Sequence, residues 1–149
     1  MKRGVAIVVF SAATAAFAQS PDTLRLKPGG WLLKQYIGGL ATAVEYHACV
    51  DRDTNYVVQE EEGCTKPAVK REGAGFVAES TCMAQGGGKA FQRAVITGNF
   101  DSAYTERKTT TFRPPIEGVA TATETVEWRW IAAACKKGMK PGDIDMIRK

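Results

Sequence analysis

The feature that most constrains this chain is a set of four widely spaced cysteines that follow an apolar N-terminal leader. They are Cys49, Cys64, Cys82 and Cys135. An even number of cysteines in an exported protein predicts disulfide bonds, because thiols oxidise outside the cytoplasm. We therefore expect two disulfide bonds and a small fold that these two covalent links tie together.

The N-terminus has the three parts of a secretory signal peptide. Lys2 and Arg3 provide a positive start, residues 4–16 carry no charge, and Ala16-Phe17-Ala18 is a small-residue cleavage site. The uncharged stretch is shorter than the roughly 20 residues that a membrane-spanning helix needs. The sequence predicts removal of residues 1–18, Sec-type export to a bacterial periplasm, and no transmembrane segment in the mature chain.

Cleavage also changes the charge of the chain. The full sequence has a formal net charge of +4, and the loss of Lys2 and Arg3 leaves +2. A surplus this small gives no electrostatic reason to expect a nucleic-acid partner. The remaining residues, 19–149, are enough for a single disulfide-stapled β-domain with its own hydrophobic core.

Beyond the leader, apolar and polar residues alternate with a period of two, which is typical of half-buried β-strands. The alternation is clearest at 44–50 and 126–131. Other strands are predicted at 30–36, 66–70, 76–83, 90–97 and 103–112. Because glycine-rich turns separate several of these runs, we expect a single antiparallel, strongly curved meander sheet that forms a partial barrel or sandwich.

Two segments break this pattern. Asp53 is placed to cap one short helix over residues 54–61, and Gly63 follows as a stop signal. Further along, Pro114-Pro115 and Gly118 predict a longer loop before the last strand.

The symmetry of the chain about Gly73 predicts how the cysteines pair. Folding the chain at this turn in antiparallel register sets Cys64 opposite Cys82. The bond Cys49–Cys135 follows by elimination and ties an early strand to the end of the last predicted one. A cysteine zinc site is disfavoured, because structural zinc sites draw their thiolates from closely spaced pairs and these cysteines are far apart.

The same register predicts which residues face each other in the hairpin. The expected pairs are Thr65 with Thr81, Ala68 with Ala78 and Val69 with Val77. Pro67 lies inside this predicted strand and lacks a backbone N–H group, which favours a position at the edge of the sheet.

His47 is the one histidine in the sequence, so catalytic chemistry that needs imidazole depends on it. It could pair with Cys49 as a dyad or share a metal with Glu45 and Asp51. A disulfide at Cys49 excludes the dyad, and the G-x-S-x-G motif of a serine hydrolase is missing. A lone histidine on a wet strand face is the favoured interpretation, and we predict no catalytic residue, cofactor or metal.

Three tryptophans are the candidates for a ligand site. Trp31, Trp128 and Trp130 could line a pocket for a small apolar ligand within the sheet, although tryptophans in strands more often pack in the core.

Several of these motifs together resemble an exported protein family of proteobacteria, known as domain of unknown function number 3617. The motifs are Lys27-Pro28-Gly29-Gly30-Trp31, Cys49-Val50-Asp51, Gly63-Cys64, Thr81-Cys82, Cys135 and the tail from Lys137 to Ile144 with its K-P-G-D sequence. Leu32 follows Trp31 where the family usually has an acidic residue. The resemblance implies export and four cysteines but supplies no activity and no site residues.

These observations favour a non-enzymatic periplasmic β-domain that binds a small apolar ligand or another envelope protein. The alternative is a periplasmic hydrolase that uses Asp or Glu side chains at positions that the sequence does not reveal. A third hypothesis is a structural or stress protein of the envelope.

Overall fold

Eight β-strands make up nearly all the regular structure in the computed structural model, which describes residues 24–38, 41–53, 57–58 and 60–147. The predicted signal peptide, residues 1–18, lies outside these residues. In chain order the strands are β1 (Gly29–Ile37), β2 (Val44–Val50), β3 (Ala68–Glu72), β4 (Gly75–Met83), β5 (Lys89–Gly98), β6 (Ala103–Ile116), β7 (Val119–Ala132) and β8 (Ile144–Met146).

All eight strands pair antiparallel in one sheet, in the order β3-β4-β5-β6-β7-β1-β2-β8. Strands β3 to β7 form a meander, and the mainly β, antiparallel class is as predicted. The sheet is not closed, and β3 and β8 are its edges. Pro67 directly precedes the edge strand β3, in agreement with its predicted edge position. The strong curvature that we expect for the sheet remains a prediction.

The alternation of side chains along the strands separates an apolar inner face from a polar outer face. Trp31 on β1 is fully buried on the inner face. Its ring makes edge contacts with Tyr104, at 6.1 Å between ring centroids, and with Trp128, at 6.3 Å. Burying side chains of this size stabilises the fold by about 1.5–3 kcal/mol each, so this aromatic group anchors the sheet.

Segments outside the strands cover one end of the inner face. Leu24 and Leu26 are buried there together with Val57 and Phe100. Backbone hydrogen bonds hold the segments to one another, from Val57 N to the carbonyl of Leu24 at 3.2 Å and from Lys27 N to the carbonyl of Phe100 at 3.3 Å. The core is therefore completed by loops on a single sheet.

The β3–β4 hairpin is paired one residue away from the predicted register. Val69 faces Ala78, so the predicted pairs of Ala68 with Ala78 and of Val69 with Val77 are wrong. The turn consists of the two residues Gly73-Ala74, and its centre lies half a residue beyond Gly73. A two-residue turn of this kind is a common hairpin connection, which the symmetry about Gly73 did not indicate.

Cys64 nevertheless faces Cys82, and the two form the predicted disulfide bond. One extra residue in the stretch between Cys64 and β3 compensates for the shifted turn, in the manner of a β-bulge. Thr65 N donates a hydrogen bond to the carbonyl of Thr81 at 2.8 Å, so this predicted pair is also present.

The predicted loop at Pro114-Pro115 is wrong. Strand β6 continues through both prolines to Ile116, and Glu117-Gly118 alone connects it to β7. Both turn residues have positive φ angles, 49° and 81°, which matches the tight turns that join twisted strands. The pairing of β6 with β5 ends at Arg113, just before the two prolines. Because β5 does not pair with the prolines, their missing N–H groups cost no hydrogen bond to β5.

The predicted short helix over residues 54–61 is not confirmed. Residues 54–56 and 59 lie outside the described residues, and Val57, Val58, Glu60 and Glu61 are in bends or irregular structure. The described helical structure is a single 3₁₀ turn at Gln85–Gly87. No helix in the described part of the chain has the length and apolar character needed to span a membrane.

The second predicted disulfide bond, Cys49–Cys135, spans the start of β1. Gly30 faces Cys49 in the β1–β2 register. A side-chain carbon at Gly30 would lie 3.1 Å from the carbonyl oxygen of Ala134 and 3.8 Å from Cα of Cys135. Because Gly30 has no side chain, the chain that leaves β7 passes close over β1 and reaches β2.

The tail after Cys135 folds back onto the same part of the sheet. Lys140–Asp143 forms a β-turn, in which Asp143 N donates to the carbonyl of Lys140 at 3.0 Å. Pro141 and Gly142 occupy the positions that a type II turn favours. Gly142 N then donates to the carbonyl of Cys49 at 2.9 Å, which places β8 beside β2. The sequence did not predict β8, because three residues are too few to show an alternating pattern.

Candidate functional site

A cavity of about 410 Å³ lies on the inner face of the sheet, within the size range of pockets for small molecules. Ala48 and Val50 of β2 line it from one end of the strand order, and Ala78 of β4 lines it from the other. Ala94 and Ile96 of β5 complete an apolar wall. Strands that are distant in the sheet order therefore line one partly open cavity.

Two aromatic residues form the inner end of this cavity. The rings of Tyr104 and Trp128 are stacked, with centroids 5.3 Å apart and planes 16° from parallel. Burial raises the pKa of Tyr104 far above its ordinary value, with a smaller contribution from the charge of Glu106. The phenol therefore stays neutral, and this end offers aromatic surface to a ligand.

Further along β6, on the face that also carries Tyr104, the cavity wall is polar and charged. Lys108 Nζ lies 3.6 Å from the carboxylate of Glu61 and 3.9 Å from that of Glu124. Gln35 donates a hydrogen bond to Glu124 at 2.6 Å, and Gln92 donates one to Glu61 at 3.4 Å. These contacts hold the Lys108 ammonium group between the carboxylates of Glu61 and Glu124.

Glu106 lies between the apolar and the charged regions. Its neighbours across the sheet are Ile96 on β5 and Val126 on β7, so both flanks of this carboxyl group are apolar. Burial raises the pKa of Glu106, and the carboxylates of Glu124 and Glu61 raise it further, whereas Lys108 lowers it. A ligand that brings hydrogen-bond donors or a positive charge to the Glu106 carboxyl group would therefore stabilise it.

The three tryptophans proposed from the sequence have different surroundings. Trp128 lines the cavity. Trp31 packs in the core, and its Nε1 donates to the carbonyl of Lys27 at 2.8 Å. Trp130 lies outside the cavity, where its Nε1 donates to the carbonyl of Pro28 at 3.1 Å and Lys27 Nζ lies 3.7 Å from its ring centroid.

His47 is half-buried on the outer face, away from the cavity, and its Nδ1 has no hydrogen-bond partner among the described residues. Within the described part of the chain, the one cluster with metal-ligand geometry is Glu61, Cys64 and Cys82. Both of these sulfur atoms are in a disulfide bond, so they are not thiolate ligands. The structure does not bring Glu45, His47 and Asp51 together as such a cluster.

Sequence reasoning missed Glu106, Lys108 and Glu61 as site residues. One signal was present, because Glu106 and Lys108 share the strand face of Tyr104, which is an aromatic residue in an alternating run. Two charges at inward positions of a predicted strand indicate a polar region on an otherwise apolar face. The approach of Glu61 from a loop 45 positions earlier than Glu106 had no signal in the sequence.

A comparison with known protein families assigns this chain to a family over most of its length. A family model described as "Protein of unknown function (DUF3617)" matches residues 26–135, and the chain belongs to this family. The matched region runs from the covering segment of the core to Cys135, so it includes seven of the eight strands and all four cysteines. No curated protein and no solved structure matches the chain.

Proposed function

We propose that this protein is an exported, non-enzymatic binding protein that holds a small molecule with an apolar body in its inner-face cavity. The observation that carries this proposal is the cavity itself, about 410 Å³ in volume and walled by apolar side chains from β2, β4 and β5. Such cavities bury most of a small ligand and gain affinity from the apolar area removed from water.

Export is supported by the two disulfide bonds, because such bonds persist in oxidising compartments such as the bacterial periplasm. The leader in residues 1–18 supplies the route. Fractionation of cells that express the full chain tests this part of the proposal. We expect a periplasmic protein whose N-terminal residue is Gln19, and a cytoplasmic protein that still carries residues 1–18 would contradict it.

The cavity lining favours binding over catalysis. Among the described lining residues, Cys49 and Cys64 are in disulfide bonds, and Ser80 donates its hydroxyl to Gln92 at 3.3 Å. These side chains are therefore not arranged as an activated nucleophile. The alternative function is a carboxylate-based hydrolase, in which Glu106 would act as the acid.

A fluorescent apolar dye, N-phenylnaphthylamine, tests the binding proposal. We expect a saturable rise in its fluorescence with the wild-type protein. Ala94→Phe should abolish this rise by filling the cavity from β5, whereas Ala103→Phe on the exposed outer side of β6 should leave it unchanged. Equal dye binding by all three proteins would overturn the proposal.

Two further measurements make this test independent of folding and of the alternative function. Ser80→Leu narrows the cavity at a less buried position than Ala94, and circular dichroism checks that each variant keeps the sheet. Chromogenic esters and glycosides test for hydrolysis. Turnover that Glu106→Gln abolishes would support the hydrolase instead of the binding protein.

A further inference from the structure

The cavity has an uneven charge balance at its polar wall. Lys108 is the one cationic side chain among the described lining residues, whereas Glu61 and Glu106 are both carboxylates. Glu124 adds a third carboxylate behind them, 3.9 Å from Lys108. With all four groups ionised, the wall carries a net charge of −2.

The single ammonium is already engaged by the outer carboxylates. Lys108 lies within ion-pair distance of Glu61 and Glu124, and neither contact exceeds 3.9 Å. No ion pair within 4 Å joins Glu106 to a cationic side chain in the described part of the chain. Lys108 lowers the pKa of the innermost carboxyl group, Glu106, only from beyond ion-pair distance, so this group between Ile96 and Val126 has no direct ion pair.

An ionised carboxylate between apolar neighbours is costly unless a cation or hydrogen-bond donors compensate it. The free cavity gives Glu106 neither a direct ion pair nor a hydrogen bond to another described residue. A ligand with a protonated amine would provide both an opposite charge and several N–H donors. Its apolar body would then lie against Ile96, which faces Glu106 across the sheet, and the Trp128 ring.

We propose that the cavity selects amphiphilic molecules with an apolar body and a cationic amine head, and that the Glu106 carboxylate binds this head. This inference rests on the proposed binding function and specifies its ligand class. An anionic head is disfavoured because it would face Glu106, Glu61 and Glu124 together. A neutral hydroxyl head donates one hydrogen bond to Glu106 but leaves its charge unbalanced.

Three linear probes with eight carbon atoms each separate the contribution of the head from that of the body. Octylamine, octanol and octanoate compete with N-phenylnaphthylamine for the wild-type protein at neutral pH. We expect octylamine to bind at least about tenfold more tightly than octanol, in line with a charged hydrogen bond, and octanoate to bind most weakly.

Variants of Glu106 connect this preference to one residue. Glu106→Gln should reduce the preference for octylamine over octanol to within about twofold, whereas Glu106→Asp should retain part of it because the charge remains. Glu127→Gln removes one carboxylate from the exposed outer face of β7 and should change nothing.

The outcomes distinguish this inference from the function on which it rests. Equal affinity for octylamine and octanol, tighter binding of octanoate, or a preference that survives in Glu106→Gln would overturn the assignment of the amine head. The cavity would then still be an apolar binding site. Failure of all three probes and of the dye to bind would overturn the binding function itself.

Discussion

Cys64 lies directly opposite Cys82, although the β3–β4 hairpin between them is paired in a different register. The pairing in the hairpin is shifted by one residue from the pairing at the two cysteines. Thr65 still pairs with Thr81, so the extra residue lies between Thr65 and the start of β3. Thr81 N donates to the hydroxyl oxygen of Thr65 at 3.0 Å, in place of a backbone carbonyl. The threonine hydroxyl thus allows the bulge and the disulfide bond to coexist.

The first prediction concerns this hydroxyl. Thr65→Val keeps the shape of the side chain but removes the acceptor for Thr81 N, so it should lower the free energy of unfolding by about 1 kcal/mol. Thr65→Ser retains the hydroxyl and serves as the control. Urea denaturation measures both variants, and equal losses from Val and Ser would show that the hydrogen bond has no role.

The two disulfide bonds should contribute unequally to stability. Cys64 and Cys82 are 18 residues apart, and Cys49 and Cys135 are 86 apart. On the chain-entropy model these loops correspond to about 3 and about 4.5 kcal/mol. Replacing Cys49 and Cys135 together by Ser should therefore reduce the midpoint of urea denaturation more than replacing the other pair. The reverse order would contradict this account.

The third prediction is a pH dependence of stability that comes from Glu106. Burial raises its pKa above the ordinary value of 4.5, with further increases from Glu124 and Glu61 and a decrease from Lys108. The folded protein thus binds this proton more tightly than the unfolded chain. The resulting stability is fully present below pH 4.5 and is lost as the pH rises through the raised pKa.

Glu106→Gln removes this titration and keeps a neutral side chain at every pH. Its melting temperature relative to the wild type should therefore increase from about pH 4 to about pH 7, because each unit of raised pKa corresponds to about 1.4 kcal/mol. Glu127→Gln on the outer face is the matched control. A constant difference across this pH range would show that Glu106 titrates as an exposed carboxylate.

The fourth prediction separates the tryptophans by position. Trp31 is fully buried, so Trp31→Ala should cost about 3–5 kcal/mol of unfolding free energy. Trp130 is only half-buried beside Lys27, and Trp130→Ala should cost less than half as much. Denaturation in urea gives both values, and similar losses would contradict the assignment of Trp31 to the core.

The strands were predictable because alternation along a half-buried strand is local. The run at 44–50 coincides with β2, and both cysteine pairs follow from turn position and elimination. The hairpin register was not predictable, because the bulge after Cys64 adds a residue without a distinct sequence signal. The prolines at 114–115 suggested a loop, but they lie where β6 has passed the end of its pairing with β5.

The sequence predicted less of the cavity than of the fold. Trp128 was a candidate pocket residue because of its type, and it does line the cavity. The polar wall requires Glu61, in a loop, to meet Lys108 on β6 at 3.6 Å. Contacts of this kind depend on how loops cross the sheet, which strand periodicity does not describe.

The central claim is that a small ligand occupies the inner-face cavity, and amide chemical shifts recorded by NMR during a titration with octylamine test it most directly. We predict saturable shifts at Ala94, Glu106 and Trp128, and unchanged signals at Ala103 and Glu127 on the outer face. Shifts confined to the outer face, or no saturable shift at the three cavity residues, would contradict the account.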